Sequence, residues 1–147
     1  MDFRIVIDTR EQEAYGFDCP TVRRKLGAGD YSVDGLETAV AVERKSLSDF
    51  ASTVIHHFDR FAAELERLRQ YEAACIVVEA DLDDVLRGQA AEDLRGAAPE
   101  SILGAAVHIA LRWGVPVFWC GSRPAARAFT DAYLRMFVRT RRERVPA

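Results

Sequence analysis

The sequence predicts a single α/β domain, a mixed β-sheet with helices on both faces. Three observations carry that expectation. Apolar, β-prone runs occupy residues 3–8, 75–80 and 115–120. The hydrophobic period changes from 2 to 3.6 at Ser46. After a β-rich first third, helix and strand patterns alternate, an order that lays helices against a sheet. A chain of 147 residues is long enough for one domain with its own core.

Residues 3–8, Phe-Arg-Ile-Val-Ile-Asp, read as a buried strand ending in an acid. A loop follows to Pro20, then a short strand over Thr21 to Leu26. Its Arg23-Arg24-Lys25 cluster is either a polar sheet edge or a phosphate contact. The chain breaks at Gly27-Ala28-Gly29, and Tyr31-Ser32-Val33 resumes the strand pattern. Asp34-Gly35 predicts a hairpin, with a return strand over Thr38 to Arg44.

From Ser46 to about Tyr71 a continuous apolar stripe, Leu47, Phe50, Val54, Phe58, Phe61, Leu65 and Leu68, predicts one long helix. Arg60 and Glu64 are placed on its solvent side, and Ser46 and Asp49 suit its N-terminal cap. Residues 75–80 predict a buried parallel strand, Asp81 to Arg87 a brief helix, and Gly88 to Ala98 an acidic loop. Pro99 opens a further helix, Val115 to Cys120 forms the last strand with Pro116 marking an edge or a start, and a final helix runs from about Pro124 to Val138. A basic tail follows.

Composition narrows the function classes. No apolar run approaches the roughly 20 residues of a membrane span, and the first residues carry no signal-peptide pattern. Cys19, Cys75 and Cys120 are scattered and odd in number, which predicts reduced thiols in a cytoplasmic protein rather than disulfides or zinc. Net charge is −3 but uneven: residues 79–100 carry seven acids and two arginines, and residues 101–147 eight arginines and two acids. That asymmetry permits a phosphate-facing surface on an acidic chain. Of the 20 cations only Lys25 and Lys45 are lysine. His108 reads as a core histidine, His56 and His57 as interface or surface residues, and Trp113 and Trp119 as core or interface aromatics.

Pairing across the Asp34-Gly35 hairpin brings Asp30, at the start of one strand, near Glu43, at the end of the other. Lys45 lies two residues beyond Glu43 and so projects to the same side. Two carboxylates and waters suit magnesium, and Asp8 is a candidate third acid. Lys45 can orient or deprotonate a water or screen a pentavalent phosphate, while Arg10 and Arg44 are candidate phosphate clamps.

Taken together, Asp8-Thr9-Arg10-Glu11, Gly29-Asp30-Tyr31 and Glu43-Arg44-Lys45-Ser46-Leu47-Ser48-Asp49 resemble the nuclease domain of XPF/MUS-type structure-specific endonucleases, a branch of the PD-(D/E)xK restriction-endonuclease-like superfamily. Arg60-Phe61 sits where that family often has an arginine. The resemblance implies a restriction-endonuclease-like fold over residues 1–140, followed by a basic tail at 141–147. It implies a Mg²⁺- or Mn²⁺-dependent DNA endonuclease acting on branched, flap or fork DNA, with Asp30, Glu43 and Asp8 toward the metal and Lys45 catalytic. Arg10, Arg44 and Asp49 then support the site, and Arg10, Arg44 and Arg60 meet nucleic acid. It further implies a homodimer or heterodimer through the C-terminal helices, where Phe129, Tyr133, Met136 and Phe137 serve either that interface or the core. Larger relatives add helix-hairpin-helix or helicase modules, so the chain reads as a stand-alone nuclease domain. The competing reading is a non-catalytic DNA-binding or scaffold subunit of the same fold, working with an active partner.

Overall fold

The computed structural model describes residues 3–144, and six strands form one mixed sheet in the order β2-β1-β3-β4-β5-β6. The strands are β1 (Ile5–Ile7), β2 (Thr21–Arg23), β3 (Tyr31–Val33), β4 (Val40–Lys45), β5 (Ala73–Val78) and β6 (Val117–Trp119). β1 pairs antiparallel with β3, and β3 antiparallel with β4, whereas β1–β2, β4–β5 and β5–β6 are parallel. The polar β2 and the proline-flanked β6 lie at the edges, where an unpaired row of backbone groups can meet water.

Side-chain alternation along β4 and β5 divides the core in two. Ala41, Ile76 and Val78 face α1 (Leu47–His56), α2 (Phe58–Leu68) and α4 (Pro99–Trp113). Val40, Val42, Cys75 and Val77 face α5 (Arg123–Arg144) on the other side. The small α3 (Leu82–Leu86) is capped by Asp81, whose carboxylate accepts the Asp83 and Asp84 amides. A 3₁₀ turn at Ala91–Leu94 interrupts the predicted acidic loop and buries Leu94.

Four expectations are corrected. The single long helix is two, broken at His57 (φ −135°, ψ 33°), which ends α1 and starts α2. The β-branched run Thr53-Val54-Ile55 before the break is a poor helix segment. The last helix extends through Arg144, past the predicted end at Val138, while the rest of the predicted basic tail lies outside the described residues. The Asp34-Gly35 turn is present, with Gly35 at φ +88° and the Leu36 amide bonded to Val33 O, but the connection continues to Ala39 before β4 begins. His108 is exposed, its ring stacked on Phe58 and edge-on to Trp113, because α4 turns that position outward beside exposed Val107 and Leu111.

Phe50 and Leu65 have no exposed surface, and they hold α1 and α2 against the sheet. Leu65→Ala is expected to cost about 2–5 kcal/mol of stability by emptying a close-packed site, measured as a shift in urea midpoint at unchanged slope.

Candidate active site

The C-terminal end of β4 carries Glu43, Arg44 and Lys45 in an extended segment, so the first and third point one way and the second the other. Glu43 and Lys45 point toward α2, and Lys45 Nζ lies 3.3 Å from Glu43 Oε2. The Phe61 ring lies 5.2 Å from the same ammonium. Asp30 enters from the strand alongside: its amide donates to Val42 O at 2.8 Å, and its Oδ2 accepts the Arg44 amide at 2.8 Å. The turn before Asp30 needs Gly29, whose φ is +77° and where a Cβ would stand 3.0 Å from Ala41 Cβ.

These groups open into a cleft of about 360 Å³ walled by the end of β1, the Gly29 turn, the end of β4 and one side of α2. Asp8, Arg10, Asp30, Glu43, Lys45 and Arg60 all line it. Most of the sequence-derived constellation is therefore brought together.

Three of those side chains have other duties. Asp8 Oδ1 accepts the Leu26 amide at 2.8 Å, and Oδ2 accepts Arg10 Nε at 2.8 Å and the Arg10 amide at 3.2 Å. Burial alone would raise its carboxyl, but these donors outweigh burial and hold it below the ordinary carboxylate range. Asp8 lines the cleft as expected, with each of its oxygens already accepting a hydrogen bond from within the protein. Arg44 is not a phosphate clamp, because strand alternation turns it to the α5 face. There its guanidinium meets Glu11 at 2.9 and 3.1 Å and Glu79 at 3.3 Å. Asp49 is exposed in the first turn of α1, where its amide bonds Ser46 Oγ at 3.1 Å, and it does not line the cleft.

The Arg44 group extends into a buried network. Tyr15 Oη donates to Glu79, Arg123 lies 3.4 Å from Glu79, and Tyr31 Oη lies 3.4 Å from Glu11. It ties the exits of β1, β4 and β5 and the start of α5. Arg23 donates to Glu11 O, and Arg24 pairs with Asp34 and Glu37, so the cluster on β2 takes its edge role.

Glu64, Thr53, His57 and Arg67 also line the cleft, and the sequence reading did not place them there. Glu64 was assigned to the solvent side with Arg60; instead its Oε1 accepts the Gly29 amide at 2.9 Å. The available signal was helical spacing. Glu64 falls three residues after Phe61 and four before Leu68, on the margin of the apolar stripe rather than opposite it.

The electrostatics follow from placing acids together in a half-buried setting. Burial, against the pull of the Arg44 amide, raises the Asp30 carboxyl. Burial, then the charge of Asp30, raises the Glu43 carboxyl in spite of Lys45. The two share protons as a pair, and a divalent cation between them would remove the repulsion. Asp30 Oδ1 and Glu43 Oε1 accept no hydrogen bond among the described residues, and neither is a buried orphan. Two hard oxygens facing a wet cleft fit Mg²⁺ or Mn²⁺, with waters and phosphate oxygens completing the shell. No group of three acids, histidines or cysteines converges to hold a metal among the described residues.

A mixed sheet with a carboxylate–lysine cleft at its strand ends defines an α/β domain suited to an anionic ligand and a cation. Residues 7–131 match the model of the ERCC4 domain, and the chain belongs to that family. Its fold is that of the XPF nuclease domain. A structure of XPF from Aeropyrum pernix superposes with a TM-score of 0.71 at 22% identity, covering 92% of this chain and 65% of that one. A second, titled as the complex of that protein with DNA, gives 0.69 at 23% identity, covering 93% and 66%. The chain thus spans slightly under two thirds of the length of those solved chains. No curated protein matches it.

Removing Arg44 alone leaves buried Glu11 without its main partner, while Glu79 keeps Tyr15 and Arg123. Arg44→Met is expected to cost about 3–5 kcal/mol, read from urea unfolding. The raised pair sets a pH dependence. Because the folded state holds these protons more tightly than the unfolded chain, stability without metal falls as pH rises from the ordinary carboxylate range near 4. Thermal melts in EDTA are expected to show that fall, Glu43→Gln to flatten it, and millimolar Mn²⁺ to reverse it above neutrality.

Proposed function

We propose that the protein is a divalent-metal-dependent DNA endonuclease that hydrolyses phosphodiester bonds in branched, flap or fork DNA. One observation carries the reading: Asp30, Glu43 and Lys45 converge at the mouth of an open, charged cleft in a chain of the ERCC4 domain family. The XPF relative crystallised with DNA supports nucleic acid as the ligand class.

Asp30 and Glu43 are the residues that would hold Mg²⁺ or Mn²⁺, which when bound acidifies water and neutralises charge on the scissile phosphate. Lys45, pinned between Glu43 and the Phe61 face, is a fixed donor that orients the attacking water and stabilises charge growing on the phosphate. Arg10, anchored by Asp8, presents a largely exposed guanidinium at the β1 side of the cleft. Arg60 stands on the α2 side, exposed and with no ion pair among the described residues, free to take a phosphate. The same reading includes pairing with a second copy or a related chain through the later helices. Phe129, Tyr133 and Phe137 are half-buried against the sheet, which leaves Met136 as the exposed large apolar side chain on α5; Val107 and Leu111 are exposed on α4, across the sheet. A cytoplasmic location belongs to the proposal too; among the described residues no helix is long and apolar enough to cross a membrane.

The test is cleavage of labelled flap, fork and linear duplex DNA with Mg²⁺, Mn²⁺ or EDTA. Cleavage is expected with either metal and lost in EDTA. Glu43→Gln, Asp30→Asn and Lys45→Ala are each expected to lower the rate roughly 10²-fold or more. Branched DNA bound but uncut under every metal would replace the enzyme with the scaffold reading. Arg60→Ala is expected to weaken binding alike on all sequences and to reduce the salt slope of log K by about 1.

A further inference from the structure

The backbone that aims Asp30 is held from two sides. On its C-terminal side the sheet holds it: the Asp30 amide donates to Val42 O, and Asp30 O accepts the Asp8 amide at 2.9 Å. On its N-terminal side the Gly29 amide has no strand partner and donates to Glu64 Oε1 at 2.9 Å. The left-handed Gly29 conformation, packed on Ala41 and Val42 O, leaves this amide facing α2 rather than the sheet.

α2 is well placed to hold it. Phe61, Leu65 and Leu68 are buried in the core and fix the rotation of the helix. Glu64 lies at the edge of that stripe, with its second oxygen 2.6 Å from Arg67 Nη2. The Tyr71 hydroxyl, just beyond α2, lies beside Gly27. One helix therefore touches Lys45 through Phe61, and the Asp30 turn through Glu64.

We propose that Glu64 is a positioning residue: it latches the Gly29–Asp30 turn to α2 and so fixes the direction in which Asp30 presents its carboxylate. The inference rests on the metal-dependent reading of the cleft. Glu64 lines the cleft with both of its oxygens engaged, one by the Gly29 amide and one by Arg67, which gives it a holding role at the turn. Outer partners of this kind set the orientation of metal-binding groups, and their loss typically weakens metal binding by roughly 10- to 100-fold.

The experiment compares the full chain with its Glu64→Ala and Glu64→Gln variants by three readouts: hydrogen exchange of the Gly29 amide, Mn²⁺ binding by calorimetry, and steady-state cleavage. In Glu64→Ala, exchange at Gly29 is expected to accelerate, Mn²⁺ affinity to fall roughly tenfold or more, and kcat to fall with KM for DNA little changed. Glu64→Gln keeps an acceptor and is expected to restore most of all three. Melting in EDTA establishes that each variant is folded; Glu64→Ser replaces Glu64→Ala should the latter not fold. Unchanged Gly29 exchange in Glu64→Ala overturns the latch. Faster exchange with unaltered Mn²⁺ affinity overturns positioning. Equal loss of Mn²⁺ affinity in Glu64→Gln and Glu64→Ala overturns it in favour of direct charge or ligation. A parent chain that neither binds Mn²⁺ nor cuts DNA removes the nuclease reading, while Gly29 exchange still decides the latch.

Discussion

The antiparallel pairing of β3 with β4 is the constraint on which the site depends. A hydrogen bond from the Asp30 amide to Val42 O sets the register, and the Asp30 carboxylate then accepts the Arg44 amide. With register fixed, the two-residue period of β4 decides everything nearby: Glu43 and Lys45 join Asp30 on the α2 side, and Arg44 goes to the other. A slip of one residue would exchange these roles, placing an arginine in the cleft and an acid and a lysine against α5.

That alternation sorts charge across a single strand. On the α5 face, Arg44 is surrounded by the carboxylates it needs, and Glu11 sits below the ordinary carboxylate range because Arg44 outweighs its burial. On the cleft face, Asp30 and Glu43 repel one another with one lysine between them, and both are raised. One face is satisfied internally and holds the strand ends in place. The other keeps two acids that repel one another beside a single lysine. Rigidity on one side supports the unsatisfied chemistry on the other.

Much of this was legible in the sequence. Hydrophobic period carries the strand–helix order, and strand alternation puts Asp30, Glu43 and Lys45 together. What escaped was decided by tertiary contacts. Asp8 looked available at a strand end, but the Leu26 loop returns to cap it. Arg44 sits between two site residues in sequence, and although alternation required it to face away, its motif neighbours suggested otherwise. The apolar stripe gave no hint of the break at His57, because the hydrophobic pattern continues through it. The i,i+4 spacing of Arg60 and Glu64 points Glu64 to solvent, whereas its distance from Phe61 and Leu68 along α2 brings it to the cleft margin.

The central claim is that Asp30 and Glu43 together hold a divalent cation. The most direct measurement is the anomalous difference density of a crystal grown or soaked with Mn²⁺ at neutral pH. One strong peak is expected beside both the Asp30 and Glu43 carboxylates. A well-diffracting crystal with no peak there, or with manganese held by Asp8 or Glu64 instead, would contradict it.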